Sequence, residues 1–175
     1  YGIEKLIVEH YLNFYKKEYG LDFLVLRFAN VYGPRQDSKG EAGVIAIFCA
    51  KLLDGGQPVI NGDGNQTRDF IYALDLVEFM AESINKIGKT EHNLFHLANG
   101  KQISVNEVFK LLKEISEFNG EAEHDEAIKG EVRDIVLDIS LAKKELGWSP
   151  KADIEVGIKE TWEWFSDRKN KENKK

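Results

Sequence analysis

The sequence has one cysteine, one methionine and three prolines among its 175 residues. Cys49 has no partner within the chain, which excludes an intrachain disulfide framework and fits a reducing, cytoplasmic setting. No apolar run approaches the ~20 residues of a membrane-spanning helix, so no membrane partner is expected. A net charge of −6 gives no reason to expect nucleic acid either. Histidines number only four. His92 and His96 flank a strand-like run and His10 falls mid-helix, so no metal-ligand set is read.

What remains is an ordinary globular composition, 42% hydrophobic and 31% charged, long enough to bury a core as one domain. The spacing of Ile3, Ile7, Tyr11 and Phe14 predicts a helix over 2–19, stopped by Gly20. "DFLVLRF" reads as a short buried strand. Val44 to Leu53 reads as helix, ended by Gly55-Gly56. "QPVINGDGNQTRDFIY" reads as strand, glycine turn, strand, with a hairpin as its simplest form. Leu76, Phe79, Met80, Ile84 and Ile87 form another helical stripe, and "NLFHLAN" is a strand candidate. Ser104 and Glu107 make a capping box ahead of a helix. "EAEHDE" is an acidic loop or edge strand. "SLAKKELGW" is a short helix with Ser140 as cap and Gly147 as stop. A last helix carries Ile154, Ile158, Trp162 and Phe165. The basic "RKNKENKK" reads as a frayed end. Helices and short strands alternate, so the class is α/β.

Four polar clusters interrupt this pattern. Tyr1 and Lys5 stand one helical turn apart. A phenol near pKa ~10 is a poor base at neutral pH, and an adjacent ammonium lowers that value. The pair can be an acid/base couple, or an aromatic and a charge meeting by chance. "LRFANVYGPRQ" sets Arg27, Asn30, Tyr32 and Arg35 around the end of a strand, where open α/β sheets bind ligands; the alternative is a surface turn. "NGDGNQTRDF" joins a glycine turn to Arg68, a candidate phosphate grip, although Thr67 stands where a dinucleotide fingerprint has its third glycine. "GEVRDIVLDIS" offers Arg133 beside Asp134, either a second grip or a surface ion pair.

Four stretches in this order, "YGIEK", "LRFANVYGPRQ", "GEAGVIAIFCAKLLDGGQPVINGDGNQTRDFIYALDLVEF" and "GEVRDIVLDISLAKKELGWSPK", span nearly the whole chain. Together they resemble the C-terminal half of an extended short-chain dehydrogenase/reductase of the NAD-dependent epimerase/dehydratase family. The pattern is most similar to the UDP-glucose 4-epimerases. The resemblance implies a helix and strand from a Rossmann-type doubly wound sheet, followed by a smaller α/β substrate-binding domain. The expected division is 1–35 as the end of the NAD-binding part, 36–167 as mainly the sugar-nucleotide domain with segments returning to the first part, and 168–175 as a basic tail.

Roles follow from the same resemblance. Tyr1 would be the catalytic base and acid on the sugar 4-hydroxyl, and Lys5 would hold the nicotinamide ribose of NAD and depress the tyrosine pKa. The Val31 backbone would meet the nicotinamide amide. Asn30 would contact a phosphate of the UDP-sugar, Val59 and Ile60 would line the base, and Arg68 and Arg133 would grip the diphosphate. Asp69 and Asp75 would fix loops and cap a helix. In the family a nucleotide-binding half precedes the Y-x-x-x-K segment, so these residues are expected to be part of a longer protein, inactive alone and homodimeric when intact. A 4,6-dehydratase or a decarboxylase of nucleotide sugars is the alternative within the family. A non-catalytic fragment that binds nucleotide sugar, or packs with a partner, is the alternative outside it.

Overall fold

Residues 2–40 and 42–172 are described in the computed structural model of the chain. Helix α1 runs Gly2–Tyr19, and Gly20 ends it in the left-handed region at φ +69°, a conformation that costs glycine little. Then follow β1 (Val25–Phe28), β2 (Asn30–Tyr32), α2 (Val44–Leu53), β3 (Val59–Asn61), β4 (Thr67–Arg68), β5 (Phe70–Tyr72) and α3 (Ala73–Ser83). The second half holds β6 (Leu94–Leu97), β7 (Ile103–Ser104), α4 (Val105–Ile115), β8 (Glu123–Asp125), one π-helical turn at Ala142–Leu146 and α5 (Ile154–Glu172). The class is α/β, as the alternating pattern implies.

Pairing is long-range and mostly parallel. β1 lies along β6, β2 along β5 and β3 along β8, all parallel, while β4 and β7 run antiparallel. The 59–72 segment is therefore not a hairpin, because each of its strands pairs with a strand outside it. The glycine turn between β3 and β4 serves another end. Gly64 sits at φ +73°, and a side chain there would run into Asn106 at the start of α4. Asn106 N–H donates to the Gly64 carbonyl (3.0 Å), and its side-chain amide donates to the Asp63 carbonyl (3.0 Å). The turn is thus docked on α4, whose own N-terminus is closed by the expected capping box.

Two cores result. One lies among α2, α4 and α5 and contains Phe48, Ile60, Leu112 and Ile158. The other joins Ile71, Phe95, Leu97, Leu146 and Trp148, with Leu24 and Leu26 packed against it. Asp69 is buried between segments and accepts backbone N–H groups from Asn99 (2.9 Å), Gly100 (3.0 Å) and Leu137 (3.2 Å). Asp75 does the same for Lys151 (2.8 Å) and Ala152 (3.0 Å).

The structure corrects three local expectations. Ser140 makes no side-chain cap to the turn before Gly147; its own N–H is instead taken up by the Asp138 carboxylate at 2.8 Å. The helical stripe from Leu76 to Ile87 is cut short: α3 ends at Ser83, a 3-10 turn takes Ile84–Lys86, and of the stripe only Leu76 and Phe79 are buried. Residues 168–172 of the basic tail are not frayed but continue α5. There Arg168 pairs with Glu172 at 2.9 Å, and Lys169 reaches back to the Leu53 carbonyl and the Asp54 carboxylate. A cation in the last turn also complements the helix dipole. Residues 173–175 lie outside the described residues.

Cys49 is fully buried on α2, and burial pushes its thiol up to about 12. A thiolate is the reactive species, so folding suppresses it. Ellman's reagent should find no thiol in native buffer and one in denaturant; rapid native labelling would mean that α2 opens readily.

Candidate functional site

Tyr1 lies outside the described residues. The other seven candidate residues fall into two groups. The first surrounds the Gly62–Gly64 turn. Arg68, at the end of β4, donates through Nη1 to the Thr67 carbonyl (2.7 Å) and the Arg133 carbonyl (3.2 Å). Its Nη2 donates to Glu131 at 2.5 Å. Arg133 makes a two-pronged contact with Asp63, at 3.0 and 2.8 Å. A lone bridge between Thr67 and Asp134 holds the 133–134 segment beside β4, and the Thr67 hydroxyl donates to Asp134 at 2.7 Å. Arg68 and Arg133, 65 positions apart, are thus brought together through backbone. The ionic partner of Arg133 is Asp63, not its neighbour Asp134.

Asp63 is held well below the usual carboxylate range, first by the Arg133 guanidinium and then by the Asn65 N–H that it accepts. Arg133 is raised in turn by Asp63. The pair is solvent-exposed, with side-chain exposures of 59% and 50%, so its worth to stability is small. Arg68 is the more enclosed of the two arginines, at 14%. Forked guanidinium groups suit carboxylate and phosphate oxygens alike. Val59 and Ile60, on β3 just before the turn, face opposite ways. Val59 is exposed and Ile60 lies in the core, so only the Ile60 backbone can meet a ligand.

The second group is Asn30 and Val31 on β2 and Lys5 on α1. Asn30 is exposed and Val31 half-buried on β2. The Asn30 N–H donates to the Asp69 carbonyl at 2.9 Å, which sets Asn30 at the backbone junction next to Arg68. The Val31 carbonyl accepts the Gln36 side-chain N–H at 3.1 Å. The oxygen of that same Gln36 amide is buried, and among the described residues it has no partner. Lys5 is exposed on α1. One turn further on, Glu9 takes a two-pronged contact from Arg27 of β1, at 2.8 and 2.6 Å.

Sequence spacing gave no hint of Asp63 or Glu131 as arginine partners, nor of Gln36. Glu9 had one usable signal: it stands four residues beyond Lys5, on the same helix face. Away from both groups, Glu91, His92 and Glu145 bring ligand atoms within 4.8 Å of one another. His92 Nδ1 and Glu145 are hydrogen-bonded at 2.6 Å, and Glu145 also accepts the His92 N–H at 3.1 Å. That cluster is accounted for as a hydrogen-bonded pair tying the loop before β6 to the π-helical turn.

Parallel strands with helices define an α/β class of fold, and comparison with known proteins makes it particular. The model of the NAD dependent epimerase/dehydratase family matches residues 1–97. The chain belongs to that family. It is 44% identical to the UDP-glucose 4-epimerase of Thermotoga maritima, solved with UDP-glucose, with a TM-score of 0.89 over 96% of this chain and 53% of that one. It is 36% identical to the UDP-glucose 4-epimerase of Mycolicibacterium smegmatis over 96% of this chain and 53% of that protein. A Thermus thermophilus UDP-glucose 4-epimerase solved with NAD is 33% identical, with a TM-score of 0.76 over 90% of this chain and 50% of that one. The chain spans about half the length of these relatives.

Proposed function

We propose that this chain is the sugar-nucleotide half of an NAD-dependent 4-epimerase that interconverts UDP-glucose and UDP-galactose, or their N-acetyl analogues, through a 4-keto sugar. The observation that carries the reading is the meeting of Arg68 and Arg133 at the Gly62–Gly64 turn. Two forked cations on one backbone junction suit a diphosphate. Their present partners, Glu131 and Asp63, are carboxylates that a diphosphate of the same charge type can displace. Asn30, one backbone hydrogen bond from the residue after Arg68, is suited to a phosphate oxygen. The exposed Val59 side chain and the Ile60 backbone are suited to the uracil.

The residues present also fit NAD. The unpartnered Gln36 oxygen beside the Val31 carbonyl is an acceptor suited to a ring that carries a carboxamide. Lys5, one helical turn from Tyr1, is suited to the ribose hydroxyls. When bound, NAD supplies a reversible hydride acceptor for the sugar C4. This chain's part is to hold the UDP end, orient the ring and move the 4-hydroxyl proton at the Tyr1 phenol. In this reading residues 1–35 and the returning β6 strand belong with the NAD-binding part, the α2–α4–α5 core belongs to the sugar-nucleotide part, and the intact protein is a cytoplasmic homodimer. The apolar side chains of α1, none of them buried among the described residues and all but Leu12 exposed, favour such an interface.

Titration calorimetry with UDP tests the grip. Arg68→Ala should weaken UDP binding by ~1.5–3 kcal/mol, the range for hydrogen bonds to charged groups. Arg133→Lys should lose part of its contribution, because an ammonium cannot fork. Unchanged affinity in both variants would make these surface ion pairs and remove the basis of the reading.

A further inference from the structure

Arg68 and Arg133 use different parts of their guanidinium groups at the Gly62–Gly64 turn. Arg68 Nη1 donates to two main-chain carbonyls, those of Thr67 (2.7 Å) and Arg133 (3.2 Å), which fix its orientation. Only its Nη2 goes to a carboxylate, that of Glu131. Arg133 puts both terminal nitrogens on Asp63, Nη1 on Oδ1 at 3.0 Å and Nη2 on Oδ2 at 2.8 Å. Those two nitrogens are also the ones that face a phosphate in an end-on, two-pronged contact. Carboxylate and phosphate exclude each other there.

The main chain on both sides of this contact is held independently of it. The Arg133 carbonyl accepts the Thr67 N–H (2.9 Å) as well as Arg68, and the Ile135 N–H donates to the Thr67 carbonyl (3.2 Å). The Asp63 carbonyl accepts the Asn106 amide (3.0 Å), and Asp63 Oδ1 accepts the Asn65 N–H (2.9 Å). The carboxylate therefore keeps its place without Arg133, and release needs only new rotamers of an arginine side chain that is 59% exposed. Asp63 is charged throughout the neutral range, because the Arg133 guanidinium and the Asn65 N–H hold its carboxyl well below the usual carboxylate range.

We infer that Asp63 is a built-in competitor for the diphosphate: it and the ligand take the same terminal nitrogens of Arg133, so the carboxylate lowers the affinity of the site for UDP. The inference rests on the reading of Arg133 as a diphosphate ligand. The contact is exposed on both sides, and such pairs are weak. A diphosphate that is also held by Arg68 can break it. A small single anion has no second hold and gains little by displacing one carboxylate with another negative group. Asp63 thereby favours ligands that span both arginines. A carboxylate that merely oriented Arg133 would leave the terminal nitrogens available, as the main-chain carbonyls leave Nη2 of Arg68.

The two roles predict opposite signs. UDP affinity is measured by titration calorimetry on the full-length protein that carries these residues, with no turnover required. Asp63→Asn keeps an oxygen for the Asn65 N–H and removes the charge. It should tighten UDP binding about threefold, the size expected of an exposed ion pair. Arg133→Ala should weaken UDP binding. Adding Asp63→Asn to Arg133→Ala should then bring no gain, because the competition acts through Arg133. Should Asp63→Asn fail to fold, Asp63→Ser, which also offers an oxygen to the Asn65 N–H, should tighten UDP in the same way. Unchanged or weaker UDP binding in the folded Asp63 variant would make Asp63 an orienting or a purely structural group and overturn the inference. So would a gain that persists without Arg133, which would mean general repulsion of the ligand. In both cases a loss in Arg133→Ala leaves the diphosphate grip standing. If Arg133→Ala itself leaves UDP affinity unchanged, the reading of Arg133 falls instead.

Discussion

Replacing Asp69 with alanine should lower the unfolding free energy by about 4 kcal/mol, a large effect for a single polar side chain. The carboxylate is fully buried. Its Oδ1 accepts the Asn99 N–H, and its Oδ2 accepts those of Gly100 and Leu137. No side-chain cation is among these partners, so backbone N–H groups alone satisfy the carboxyl oxygens. Alanine leaves three donors in the interior without acceptors, each costing about 1–3 kcal/mol when water cannot enter. Asparagine should cost less, about 2 kcal/mol, because its oxygen keeps part of the set while its NH2 meets at least one donor head-on. Urea titration of the three proteins checks the order. A loss below about 1 kcal/mol for alanine would mean that water reaches the site. The effect should spread to ligand binding, since the Asp69 carbonyl also holds Asn30 next to Arg68.

Asp69 marks where the sequence is readable and where it is not. Its neighbours in the chain, an arginine and a strand-forming run, predict an exposed turn or a strand start, and nothing local announces the three donors from 30, 31 and 68 residues away. Features set by a few adjacent residues are legible: α1 ending at Gly20, the Ser104–Glu107 capping box, the left-handed Gly147. Each is a local choice between a few backbone states. Strand pairing is different. The 59–72 segment satisfies the hairpin pattern, but β3 goes to β8 and β4 to β7, because Gly64 is tied to Asn106 and not to a facing strand. Helical periodicity on α1 likewise announces an apolar face without saying what covers it; none of its described residues is buried. In the candidate site the arginines are visible from their residue type and glycine context, whereas their partners depend on contacts 63 and 70 positions apart. Spacing rules that stop at four or five residues cannot reach those.

The substitution with the largest expected effect on turnover is Tyr1→Phe. In the full-length protein it should lower kcat by about 10²–10⁴-fold, the usual contribution of a positioned acid/base group. It should leave UDP affinity unchanged, because the proposed grip lies with Arg68 and Arg133. The argument runs through proton affinity. A free phenol with pKa ~10 is almost wholly protonated at neutral pH and cannot accept the 4-hydroxyl proton. In the proposed role, the Lys5 ammonium, four residues on in the sequence, would favour the phenolate and bring that pKa down. The sign follows: the competent form is the deprotonated one, so activity rises with pH through the lowered phenol pKa. Losing the Lys5 charge should move this acidic limb to higher pH as well as lower the rate. Phenylalanine keeps the ring but has no hydroxyl proton to exchange, so the limb should vanish with the activity. Stopped-time assays of UDP-galactose conversion across pH, with UDP calorimetry on the same preparations, separate these effects. Turnover within about threefold of the parent in Tyr1→Phe would assign the proton transfer to another group. A loss of rate accompanied by an equal loss of UDP affinity would instead point to a damaged fold, since a group acting only on the proton contributes to the transition state and not to ground-state binding.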